Sequence, residues 1–145
     1  MNDVIDGKPS TNFWIIGGVA LFWNLLGLFL YYQNVTTTAA DLQQAPPEMQ
    51  DLVLNIPKWA TSAYAIAVTT GVLGSALLLM RKSWAVVMFT VSLIGIIVQD
   101  IDAFLLRNAY AIIGPMWSGV SLVVFVVAVL LLLYSRKARA SGWLD

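Results

Sequence analysis

Four apolar stretches divide this chain, over residues 13–32, 59–80, 84–106 and 116–134. Each has the length that crosses the hydrocarbon core of a bilayer, about 20 residues for roughly 30 Å. Inside a bilayer the backbone must satisfy its own hydrogen bonds, and an isolated stretch does so as a helix. The expected fold is therefore an all-α membrane protein, a four-transmembrane-helix bundle forming one domain over residues 1–145. Composition agrees, because only 11% of residues are charged, against roughly 25% in a soluble domain.

The same composition narrows the chemistry. The chain has no Cys and no His, which excludes disulfides, thiol redox chemistry and His-ligated haem or zinc. No metal and no cofactor is expected. A net charge of zero leaves no footprint for nucleic acid. There is no G-x-x-x-x-G-K-[ST], no G-x-S-x-G and no H-E-x-x-H. Without a legible nucleophile–base pair, an enzyme is not expected.

The first span, Phe13 to Tyr32, is longer than the hydrophobic region of a cleavable signal peptide, and Tyr31-Tyr32-Gln33 is not a small-residue cleavage site. It is read as a retained helix. Residues 33–57 form the one long connection. Within it Pro47 suits a first helical turn, and Met49, Leu52, Val53 and Ile56 recur at helical spacing. This pattern predicts a short amphipathic helix at the membrane interface in the first outer loop, either a packed cap or a moving lid. In the second span Ala63, Ala67, Gly71 and Ser75 repeat every four residues, a small-residue ladder that lets another helix approach closely. Residues 108–115 read as a turn broken by Gly114-Pro115, and 135–145 as a basic cytoplasmic tail.

Charge sets the expected orientation. With four spans, the termini and the 81–83 turn share one side. That side carries Lys8, Arg81, Lys82, Arg136, Lys137 and Arg139, and the other only Lys58 and Arg107. The excess predicts cytoplasmic N and C termini. Trp14 and Trp84 then mark the inner interface, and Trp59 and Trp117 the outer one.

The third span is the least ordinary. It carries Gln99, Asp100 and Asp102 inside the apolar run and ends at Arg107. A carboxylate in mid-membrane costs roughly 2.5–3.5 kcal/mol on insertion scales. Ser92, Gly95, Gln99 and Asp102 share one helical face, so Asp102 is expected in the interior and Asp100 at the hydrated interface. With antiparallel spans, Asn24 lies near mid-membrane and Tyr64 near the depth of Asp102. These positions outline an outward-facing polar site of Asn24, Tyr64, Gln99 and Asp102. Lys58, Asp100 and Arg107 are its candidate charge partners. Asn24 is equally readable as a hydrogen bond to a neighbouring helix, and Tyr64 as an interface anchor.

Pro57-Lys58-Trp59-Ala60, Ala65-Ile66-Ala67-Val68, Gly71-Val72-Leu73-Gly74 and the run Leu77-Leu78-Leu79-Met80-Arg81-Lys82-Ser83-Trp84-Ala85 resemble a group of small bacterial four-span proteins, some of which carry transporter labels. The resemblance implies a multi-pass protein of the bacterial inner membrane and transfers no substrate or functional residue. The expected function is a small transporter or channel in the lipid bilayer, acting as a homo-oligomer. The alternative is an accessory subunit bound to a partner membrane protein.

Overall fold

The computed structural model describes residues 7–145. Residues 1–6, and with them the expected cytoplasmic N-terminus, lie outside the described residues. Five helices follow one another: α1 (Thr11–Thr36), α2 (Pro47–Leu54), α3 (Lys58–Leu79), α4 (Trp84–Asp100, continued by a π-helical turn Ile101–Leu106) and α5 (Ala109–Ala140). The described residues contain no strand. Four of the helices, all but α2, are long and apolar enough to cross a membrane, which is compatible with a multi-pass membrane protein.

Helices α3 and α4 pack along the longest interface, with α1 against α3 and α5 against α4. Small residues make the central contacts possible. Ala63, Ala67, Gly71 and Ser75 are all buried. Gly95 of α4 faces this ladder so closely that a Cβ there would lie 2.8 Å from the Ala63 carbonyl oxygen. The Ser92 hydroxyl donates to the Ala67 carbonyl at 2.7 Å, fixing the register of the two helices. On α1, Phe13, Gly17 and Ala20 are buried, and Asn24 continues that face in steps of four, three and four. The opposite face exposes Trp14, Phe22 and Phe29, as suits a helix that meets lipid. No residue in the middle of α5 is fully buried, although one side of it is half-buried.

At the Arg81 end the bundle is closed by a turn and by the last residues of the chain. Arg81 adopts a left-handed φ of 59° and caps α3. Its N–H donates to Leu78 O, and that of Lys82 to Leu77 O, the paired bonds of a Schellman motif. Gly142, at φ 74°, caps α5 the same way, through Gly142 N–H to Arg139 O and Trp143 N–H to Ala138 O. The two caps then join. Asp145 N–H donates to Arg81 O, Ser83 N–H to Asp145 O, and Arg81 Nε–H to Trp143 O. Trp143 and Leu144 are buried with Phe13, Leu78 and Phe89.

This differs from the basic tail expected over 135–145. The helix runs on to Ala140 because no breaker precedes Gly142, and Lys137 and Arg139 in its last turn complement the helix dipole. The turn expected over 108–115 is also mostly helical. Asn108 takes a left-handed φ of 49° and starts α5, which is interrupted only at Gly114 (φ 77°, ψ −179°). Pro115 disfavours helical geometry in the residue before it, and glycine accepts the remaining conformation.

Candidate functional site

Among the described residues, a larger and a smaller cavity reach the polar residues of α3 and α4. The larger, about 420 Å³, is bounded by Trp23, Asn24 and Gly27 of α1, Tyr64 and Val68 of α3, Phe89, Ser92 and Gln99 of α4, and Val120 to Leu131 of α5. It lies between α1, which packs on α3, and α5, which packs on α4; α1 and α5 approach each other at the Arg81 end, where the Phe13 and Tyr134 rings lie 6.5 Å apart. The smaller cavity, about 170 Å³, sits under α2 and touches Leu52, Val53, Ile56, Thr61, Asp102 and Arg107. Tyr64, Gln99, Asp100 and Ser121 line both. They form a polar band between a mainly apolar chamber and a more polar antechamber.

Among the polar residues that line the two cavities, two groups stand apart. Asn24 and Asp102 are committed to the protein. The Asn24 amide nitrogen donates to Ala20 O at 2.8 Å and to Ser75 Oγ at 3.0 Å, tying α1 to α3. Both amide hydrogens are used, so Asn24 meets the larger cavity as a wall. Asp102 is buried and ion-paired with Arg107, Nη2 to Oδ2 at 2.5 Å. Arg107 Nε–H also donates to Oδ2, at 2.7 Å, and Nη1–H to the Leu52 carbonyl at 2.6 Å. The pair thereby pins α2 to the end of α4. Oδ1 of Asp102 has no hydrogen-bond partner among the described residues.

Gln99, Asp100, Tyr64 and Ser121 are the second group. None makes a side-chain hydrogen bond or ion pair with another described residue, whereas Ser75, Thr70, Thr90, Ser118 and Ser135 all donate to backbone carbonyls. Tyr64 is held by packing instead, its ring edge-on to Tyr31 with centroids 5.0 Å apart. Lys58 is exposed and has no ion pair with a described residue.

Sequence periodicity assigns Asp102 to the site and Asp100 to the hydrated interface. Asp102 is interior as expected and is locked in an ion pair with Arg107, while Asp100 lies in the wall shared by the two cavities. The π-helical turn bears on Asp102 and not on Asp100. It begins at Ile101, directly after Asp100, and shifts every later side chain relative to the α-helical face. No local pattern in the sequence announces it. Ser121 is the member of the band that the expected site lacks; its place along the fourth span puts it at the depth of the site, but only the packing of α5 against α4 brings it into the wall. Among the described residues no group of three or more acidic residues could hold a metal ion. Comparison with protein-family models, with curated proteins and with solved structures found no match to this chain.

Proposed function

We propose that the protein is a small membrane transporter whose loading site is the polar band of Tyr64, Gln99, Asp100 and Ser121. One observation carries this reading: four polar side chains without partners among the described residues line both a cavity under α2 and one among the apolar helices. Polar groups at membrane depth are costly unless paired, and such residues usually mark a substrate or ion pathway. A carrier requires a polar site part-way across, reached from one face. The antechamber under α2 supplies the approach. In the orientation favoured by the charge bias it opens to the outside of the bacterial inner membrane, with the termini in the cytoplasm.

Both cavities lie within one protomer, so this path does not require the homo-oligomer expected from the sequence. The accessory-subunit reading has its own support in α5, whose exposed Leu122, Val123, Val126 and Leu130 suit a partner helix as well as lipid.

Native mass spectrometry of the protein released gently from its own membrane separates the two. A retained small molecule that Gln99→Leu loses, with thermal stability unchanged, supports the loading site. Release in a complex with a different membrane protein, without a small molecule, overturns it in favour of an accessory subunit. Labelling a single cysteine at position 44 tests the orientation, because protection in intact cells with labelling after lysis would reverse it.

A further inference from the structure

We infer that the loading site selects a lipophilic organic cation, a single positive charge carried on an apolar body. The inference rests on the transporter reading for where the site lies, and adds what the site takes. Across the walls of both cavities the ionisable groups besides Tyr64 are Asp100, Asp102 and Arg107. Arg107 is spent on Asp102 and on the Leu52 carbonyl. Asp100 is left as the carboxylate without a cation among the described residues, so an ionised Asp100 leaves the lining with one net negative charge.

The surroundings decide what kind of cation answers it. A hard metal cation takes about six to eight oxygen ligands, and no acidic cluster supplies them among the described residues. The chamber beyond Asp100 is instead walled by Trp23, Phe89, Val124 and Leu131. Its volume of about 420 Å³ falls in the range of small-molecule sites, roughly 300–1,000 Å³. Apolar walls favour an apolar body, and aromatic faces favour a soft organic cation. Gln99, Tyr64 and Ser121 offer hydrogen bonds beside the carboxylate. An anion has no free partner in this lining, because the arginine is already paired.

The experiment compares benzyltrimethylammonium with its neutral carbon isostere, neopentylbenzene. Binding to the full chain in lipid nanodiscs is measured by calorimetry against protein-free nanodiscs. The wild-type protein is expected to prefer the cation by roughly tenfold or more, the scale of one charge-assisted contact. Asp100→Asn is expected to abolish that preference while keeping the melting temperature and the affinity for the neutral compound. Equal affinity for both compounds, or no binding of either, overturns the proposal, as does a folded Asp100→Asn protein that still prefers the cation. If the variant fails to fold, the wild-type comparison decides alone. A cation preference without flux in proteoliposomes keeps the ligand class and defeats the transporter reading.

Discussion

Arg107 is bound to Asp102 through both side chain and backbone. Its Nε–H donates to Oδ2 at 2.7 Å, and its backbone N–H donates to the Asp102 carbonyl at 3.0 Å. The backbone bond spans five residues, the defining spacing of a π-helical turn. In an α-helix, at about 100° per residue, side chains five apart diverge by about 140°, so the ion pair and the π turn support each other. Removing one partner of a buried pair leaves an uncompensated charge and costs about 3–5 kcal/mol. Asp102→Leu alone is expected to destabilise by that order, and the double variant with Arg107→Met by much less. Thermal unfolding in nanodiscs measures both; equal losses would mean that the pair is not a coupled unit.

The α3–α4 crossing depends on Gly95. A Cβ there would stand 2.8 Å from the Ala63 carbonyl oxygen and 3.0 Å from the Ala67 Cβ, and neither belongs to a flexible side chain. Gly95→Ala is expected to cost about 1–3 kcal/mol, the usual range for overpacking. Gly119 has nothing within 4 Å of the same added atom, so Gly119→Ala is expected to be neutral or stabilising. Similar melting temperatures for the two variants would contradict this contact geometry.

Asn24 and Gln99 are expected to fail in opposite ways. Asn24→Leu removes the hydrogen bond to Ser75 and should lower stability by about 0.6 kcal/mol, the average for such interhelical bonds in a membrane. Ligand retention should survive. Gln99→Leu breaks no side-chain bond to a described residue, so stability should hold while retention is lost. Unfolding and native mass spectrometry on both variants read the two effects separately.

Trp143 ties the end of the chain to its beginning. Its ring meets the Phe13 ring edge-on, with centroids 5.8 Å apart, in the buried cluster that includes Leu78 and Phe89. Trp143→Ala is expected to cost about 3–5 kcal/mol, as for other large aromatic truncations in cores. A loss below about 1 kcal/mol, comparable to an ordinary surface change, would show that this segment does not stay docked.

The loop before α2 carries a pH-sensitive turn. The Thr38 hydroxyl, and after it the Thr38 backbone N–H, donate to Asp41 Oδ2 at 2.7 and 2.8 Å. They hold its carboxyl below the ordinary aspartate value of 3.8. A depressed value in the folded chain means that the turn's contribution is present above 3.8 and is lost as pH falls through the folded value. Carboxyl-carbon NMR is expected to show Asp41 titrating low, and Thr38→Val returning it toward the ordinary value. An unchanged titration in that variant would rule out the bond.

By itself the sequence determined the four long apolar helices, though not where α5 begins and ends. Apolar length, proline and glycine punctuation and the four-residue ladder from Ala63 to Ser75 are local signals, and each acts through the backbone or through near neighbours. Met49, Leu52 and Val53 of α2, and Ile56 just beyond it, are half-buried at the helical spacing the sequence shows. Only the tertiary structure decided which polar residues are spent and which stay available. Asn24 needs Ser75 from another helix, Asp102 needs a π turn to reach Arg107, and Asp100 and Ser121 share a wall only once α4 and α5 are side by side. A hydrogen bond or ion pair removes a polar group from the available set, and its partner is chosen by packing in three dimensions, which helical periodicity along one segment does not encode.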